Sequence, residues 1–266
     1  MDDGRRGSSH GRKLWHGCIP VCFSIDATEI TTLQVPRPYY AMIPRVSSLL
    51  AATDNVIDHF KDVAPPMFST HSVWFSYNDR PLKWQLPFGV LYDLYAESKL
   101  PWEITVHFQR YPTQQLLPCE SLDAVEIHFM NSFKQALYLL YGSTKWIMNL
   151  PQQKQAQLWE GVMKNNYSLF ESVQSELVPP SEPLRHIPVR LVLPSEPMVQ
   201  LPIAHGKAEL ATTAHVLAYL VPDLALQAHR ILVHGIDVAL DVAIAELYDA
   251  YAYPDGFLYL TVTRGV

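Results

Sequence analysis

Short apolar stretches bounded by turn residues occupy both ends of this chain, and longer runs with apolar residues every three or four positions fill its middle. Ile19 to Ile25 and Tyr39 to Pro44 read as the two strands of a hairpin, the second stopped by its proline. Ser47 to Val63 places Leu49, Leu50, Val56, Ile57 and Phe60 at helical spacing around Thr53-Asp54, which predicts an interrupted helix. Val73 to Tyr77 predicts a strand, Phe88 to Ser98 a helix and Trp102 to Phe108 a further strand. From Ser121, a candidate N-cap with Asp123 in the first turn, the period becomes helical through Val125, Phe129, Phe133, Ala136 and Leu140, with Gly142 as the stop. A second helix is predicted over Gln152 to Leu177, closed by Pro179-Pro180. Ile187 to Leu193 and Met198 to Ile203 then read as a hairpin, and Thr212 to Tyr219 as a helix.

The two ends are copies of one unit. Leu91-Tyr92-Asp93-Leu94-Tyr95-Ala96 returns as Leu247-Tyr248-Asp249-Ala250-Tyr251-Ala252, and each copy runs through a proline into an apolar strand, Trp102 to Phe108 or Phe257 to Val262. A short strand precedes each, Val73 to Tyr77 in one and Arg230 to His234 in the other. The order strand, strand, helix, strand, helix or turn, strand fits a small mixed sheet wrapped on a helix, the ubiquitin-like or β-grasp arrangement. The expectation is an α+β protein in which two ubiquitin-like domains, 14–117 and 184–266, flank a helix-rich domain, 118–183. A short helix or turn at Leu14-Trp15-His16 opens the first domain, and residues 1–13, almost without apolar content, form a loose tail. Duplication of a module explains this pattern better than one large enzyme core.

Composition narrows the function. The chain has 266 residues, 48% hydrophobic and 17% charged, enough for two or three modest cores. Its formal charge of −6 argues against nucleic acid as a main partner. No apolar run of membrane-spanning length occurs, and the start lacks the apolar core of a signal peptide. Cys18, Cys22 and Cys119 are too few for a disulfide framework, so a reducing compartment fits best. With 11 glycines against 21 prolines there is no phosphate-cradling loop fingerprint.

The sequence carries few signs of catalytic chemistry. There is no Gly-x-Ser-x-Gly elbow, no local signature around the cysteines, and no His-Glu-x-x-His; Cys18 and Cys22 have no matching second pair. No catalytic residue, metal ligand or cofactor is therefore expected. Most of Trp74, Trp84, Trp102, Trp146 and Trp159 are expected in cores, whereas Trp15, beside the tail with little to fold against, is the tryptophan best placed to line a partner groove. Lys134 lies on the Ser121 helix beside Asn131, Gln135 and Tyr138, turned from the apolar stripe, so its amine should reach solvent. Periodicity alone does not separate it from the other eight lysines.

The run His128-Phe129-Met130-Asn131-Ser132-Phe133-Lys134, preceded by Asp123-Ala124-Val125-Glu126, resembles the acceptor segment of the autophagy protein 5 family. Other landmarks agree in order: Tyr39-Tyr40 with Pro44-Arg45-Val46-Ser47, Pro81-Leu82-Lys83-Trp84, Leu100-Pro101-Trp102-Glu103-Ile104, Gln157-Leu158-Trp159-Glu160-Gly161, His234-Gly235-Ile236 and Tyr253-Pro254-Asp255-Gly256-Phe257. The resemblance covers nearly the whole chain after about residue 14.

It implies that Lys134 forms an isopeptide bond with the C-terminal glycine of autophagy protein 12, through the E1-like and E2-like autophagy proteins 7 and 10. It further implies non-covalent binding of a helix of autophagy protein 16, for which Leu14 and Trp15 are the residues carried over. The conjugate would act like an E3, with autophagy protein 3, to promote transfer of autophagy protein 8 to phosphatidylethanolamine in autophagosome formation. The chain itself would be a scaffold and not an enzyme, cytoplasmic and recruited peripherally to the preautophagosomal or phagophore membrane.

Chemistry agrees with that division of labour. A lysine of ordinary pKa, about 10.4, is neutral at pH 7 for only about one part in several thousand, so it is a poor nucleophile unaided. Two other classes stand beside this one: a purely non-covalent adaptor in which Lys134 is incidental, and a cysteine-dependent hydrolase whose activity thiol reagents would abolish.

Overall fold

The computed structural model describes residues 14–65, 73–96, 99–119, 121–178, 181–194, 196–208, 211–220 and 229–264. The expected tail, 1–13, and the helix-ending Pro179-Pro180 lie outside the described residues. Contacts divide the chain into two compact units, 17–127 and a second made of 1–16 with 128–266.

In the first unit, β1 (Cys18–Ile25) pairs antiparallel with β2 (Tyr39–Pro44) and parallel with β5 (Trp102–His107). Strand β3 (Trp74–Tyr77) pairs antiparallel with both β5 and β4 (Arg80–Pro81), giving the order β2-β1-β5-β3-β4. Alternation then sorts the side chains. Val21, Phe23 and Ile25 stand opposite Trp102, Ile104 and Val106 on one face, all buried, and Phe75 joins them opposite Val106. Helix α1 (Thr53–Phe60) follows a 3₁₀ turn over Leu49–Ala52, which is the expected interruption, and buries Val56 and Phe60. Helix α2 (Phe88–Tyr95) sets Phe88 and Tyr92 against the Trp102 ring, at centroid distances of 5.3 and 5.6 Å. On α2, Asp93 is buried and accepts a hydrogen bond from the Arg45 guanidinium, which also donates to Gly89 O at 3.3 Å.

The second unit repeats the plan. Strands β6 (His186–Val192), β7 (Val199–Ala204), β8 (His229–Val233), β9 (Ile236–Val238) and β10 (Leu258–Arg264) take the order β7-β6-β10-β8-β9, with β6 and β10 parallel. Ile187, Val189 and Leu191 of β6 and Leu258, Leu260 and Val262 of β10 share one core with Val216, Leu217, Ile244 and Leu247 of two helices. The correspondence reaches single bonds. Arg45 N, just past β2, donates to Gly17 O just before β1, and His205 N, just past β7, donates to Arg185 O just before β6. Each sheet ends in a two-residue hairpin with both residues at positive φ, Asn78-Asp79 in one and His234-Gly235 in the other, as the twist of a tight hairpin requires.

Between the modules in chain order, α3 (Leu122–Tyr141) is capped as expected: Ser121 Oγ accepts from Ala124 N at 3.3 Å, and Gly142 follows the last turn at φ +72°. A short helix α4 (Lys145–Met148) follows. The single helix expected over Gln152 to Leu177 is two, α5 (Gln152–Met163) and α6 (Tyr167–Leu177). Asn165 takes φ +51°, and the Asn166 side chain caps α6 by accepting from Leu169 N at 3.1 Å. The two helices cross so closely that a Cβ at Gly161 would stand 2.9 Å from Phe170 Cβ. The apolar period of α5 resumes in α6, which is why a turn made by two asparagines escapes a periodicity argument. In the second module, α7 (His205–Ala208) and α8 (Thr213–Leu220) precede β8, and α9 (Ile244–Tyr251) precedes β10.

Candidate functional site

Lys134 stands past the middle of α3. Phe129, Phe133, Ala136, Leu137 and Leu140 bury one face of the helix, whereas Asn131, Gln135 and Tyr138 are exposed and Lys134 is half-exposed at the margin. Among the described residues Lys134 makes no hydrogen bond or ion pair, so its amine carries no competing partner to displace. The helix beneath it is held at both edges. Phe129 packs on Trp159 of α5 at 5.6 Å between ring centroids, and Ala136 is fully buried against the turn at Gly256.

The second attachment is polar. Strand alternation places Arg190 on the face of the β6–β10 sheet opposite the apolar core, beside Tyr259, and both are buried. Arg190 Nη1 donates to Tyr259 OH at 2.6 Å, to Asp255 Oδ2 at 3.1 Å and to Ser132 Oγ of α3 at 3.1 Å. Its Nη2 donates to Gln135 Oε1 at 3.4 Å and its Nε to Gln200 Oε1 at 3.2 Å, while the guanidinium lies 3.5 Å over the Phe257 ring. Burial pushes the Asp255 carboxyl upward, against the opposing pull of the Arg190 charge and the Tyr259 hydrogen bond. Asp255 Oδ1 also accepts from Phe257 N at 3.3 Å, which ties the turn to the same group.

The N-terminal expectation needs a correction. Trp15 has a great deal to fold against: it is 5% exposed, with its ring 4.8 Å from Phe170 and 5.6 Å from Tyr167 of α6. The indole is an apolar surface that the tail could not cover but α6 does. Leu14 beside it is half-exposed.

The fold also assembles one arrangement that no motif announced. Ser76 Oγ lies 2.8 Å from His107 Nε2, and His107 Nδ1 lies 3.2 Å from Asp26 Oδ2, the residue types of a serine hydrolase. Three separated segments supply them, so only the pairing of β5 with both β3 and β1 reveals the set. Ser76 is 3% exposed and the Trp74 ring stacks on His107 at 3.8 Å, which closes the hydroxyl to a substrate. Burial holds the His107 imidazole below its ordinary range despite Asp26, and the Thr28 hydrogen bond chiefly holds the Asp26 carboxyl down. The group is a strut joining two strands to the end of β1. Burial pushes the Cys18 and Cys119 thiols up, away from the reactive thiolate. Among the described residues no cluster of three or more His, Cys, Asp or Glu could hold a metal ion, and no helix is long and apolar enough to cross a membrane.

Comparison with known proteins covers the same three parts. Residues 14–108 match the family model described as autophagy protein ATG5, UblA domain; residues 122–180 match its alpha-helical bundle region; residues 186–262 match its UblB domain. An autophagy protein 5 of Drosophila melanogaster is 31% identical over 259 residues, covering 94% of this chain and 95% of that protein. One of Phaeosphaeria nodorum is 32% identical over 297 residues, with the same coverage. One of Oryza sativa subsp. indica is 37% identical over 177 residues, which span 66% of this chain and 46% of that longer protein. The crystal structure of Kluyveromyces marxianus Atg5 superposes with a TM-score of 0.86 at 26% identity, covering 96% of this chain and 100% of that one.

Proposed function

Because this chain belongs to the autophagy protein 5 family, with ubiquitin-like domains on either side of a helical bundle, we propose that it is a conjugation scaffold in autophagosome formation whose Lys134 accepts autophagy protein 12. The observation that carries this reading is Lys134, half-exposed and without a partner among the described residues, in the His128 to Lys134 run of a helix held on both edges. In the reaction the Lys134 amine, after losing a proton, attacks the thioester carbonyl of the donor's C-terminal glycine. The C–N bond forms, the C–S bond breaks, the cysteine leaves as thiolate, and the remaining ammonium proton passes to a base. That base belongs to the conjugating enzyme, autophagy protein 10, charged in turn by autophagy protein 7.

The conjugate then positions other proteins and does no chemistry of its own, an E3-like role that works by proximity. It would bind a helix of autophagy protein 16 and bring autophagy protein 3 to phosphatidylethanolamine for transfer of autophagy protein 8. For the partner helix, Leu14 supplies half-exposed apolar surface and Trp15 the buried support behind it. Recruitment from cytoplasm to the phagophore membrane would run through partners, since a net charge of −6 gives the surface as a whole no attraction for anionic lipid.

An immunoblot of wild type and Lys134→Arg expressed with autophagy proteins 7, 10 and 12 tests the reading. A covalent band shift that disappears in the variant is expected. A shift that survives moves the acceptor elsewhere, and no shift in wild type favours the non-covalent adaptor.

A further inference from the structure

A buried guanidinium is a costly way to fill space. Removing a cation and a carboxylate from water is unfavourable, and apolar residues of the same volume often do as well or better for stability. Arg190, 5% exposed, lies on a sheet face where Val192, Tyr259 and Thr261 are also buried, and Asp255, 8% exposed, lies in the turn before β10, so an apolar pair could pack there. What an apolar pair could not do is bind two polar side chains of α3 at once.

We propose that Arg190 is a positioning residue for the acceptor lysine: its hydrogen bonds to Ser132 and Gln135 fix the rotation of α3 and with it the direction in which Lys134 leaves the helix. Ser132 and Gln135 are one turn apart and lie on the same edge of α3. Lys134 leaves from the other edge, with the Phe133 and Leu137 face between them buried. A helix held only by apolar contacts can roll by some degrees about its axis at little cost, because such contacts have no direction. Roll moves the far end of a lysine side chain more than it moves the backbone. Arg190 is itself immobilised, with Asp255, Tyr259, Gln200 and the Phe257 ring each taking one side of it, so the reference point for the helix is the second ubiquitin-like module. Nucleophilic attack on a thioester requires a defined approach, and misplacement on the order of 1 Å can cost up to about a hundredfold in rate.

This inference rests on Lys134 as acceptor, and the test separates the two. Single-turnover discharge of the thioester of autophagy protein 12 from autophagy protein 10 is measured against increasing concentrations of wild type, Ser132→Ala with Gln135→Ala, and Lys134→Arg. The double variant leaves the Arg190–Asp255 pair in place, and circular dichroism checks that its thermal midpoint stays near that of wild type. The expected result is a maximal rate reduced about tenfold with an unchanged half-saturating concentration. Ser132→Thr, which restores a hydroxyl acceptor while Gln135→Ala is kept, should recover part of the rate. An unchanged maximal rate, or a loss carried wholly by the half-saturating concentration, overturns the positioning role while leaving the acceptor intact. Product formed by Lys134→Arg overturns the acceptor assignment and this inference with it.

Discussion

At Gly256 the second module packs on the acceptor helix with no room for a side chain, and the cost of a single methyl group there can be worked out. A Cβ at residue 256 would stand 2.7 Å from Ala136 Cβ, closer than nonbonded carbons pack, and the glycine sits at φ +79°, where side chains are strained. Left-handed backbone costs a residue other than glycine roughly 1–2 kcal/mol, and overpacking adds about 1–3, so Gly256→Ala should destabilise by about 2–5 kcal/mol. The two contributions are separable. Ala136→Gly removes the opposing methyl at a cost of about 1 kcal/mol for glycine inside a helix. In that background Gly256→Ala should cost only the backbone part, about 1–2 kcal/mol, leaving a coupling energy of about 1–3 kcal/mol in the double-mutant cycle. Guanidinium unfolding followed by far-ultraviolet circular dichroism supplies all four free energies. A Gly256→Ala cost below about 1 kcal/mol, or strict additivity with Ala136→Gly, would refute the close approach of this turn to α3.

Three further outcomes follow from the same structure. His107 has its folded pKa below the unfolded value, so the native state binds fewer protons there; stability should rise with pH up to the unfolded pKa and fall on acidification below it, and His107→Gln should flatten thermal melts recorded from about pH 7 to about pH 5. Asp93→Ala strands the Arg45 guanidinium, whose side chain is 13% exposed, and should cost about 3–5 kcal/mol in denaturant unfolding, most of it recovered in Arg45→Met with Asp93→Leu. At the α5–α6 turn, Asn165→Gly should be nearly neutral whereas Asn166→Ala should cost about 1 kcal/mol through the lost cap, again read by denaturant unfolding.

The repeated Leu-Tyr-Asp hexapeptide, the period-two strands and the period-four stripe of α3 are local facts, and each folds as its own pattern demands. Sequence therefore sufficed for two modules of one type with helices between them, for the Ser121 cap and the Gly142 stop, and for Lys134 outside the apolar stripe of its helix, at the margin of the buried face. It missed β4 and β9, of two and three residues, because elements that short carry no period. It also fused α5 with α6, because a left-handed asparagine leaves the apolar spacing unbroken on either side.

What remained for the tertiary structure were contacts between residues far apart in the chain. Trp15 looked uncovered beside a polar tail, yet α6, some 150 residues on, supplies its packing. Ser76, His107 and Asp26 meet because β5 lies between β3 and β1 in the sheet. Arg190 is one arginine among 11 in the sequence; that it is buried, paired and bonded to both ends of one turn of α3 follows from the docking of a helix on a sheet face. Periodicity reports which face of an element is apolar, since that depends on spacing along the chain. It does not report which face it will meet, since that depends on shape and polarity matched between surfaces assembled only once the chain has folded.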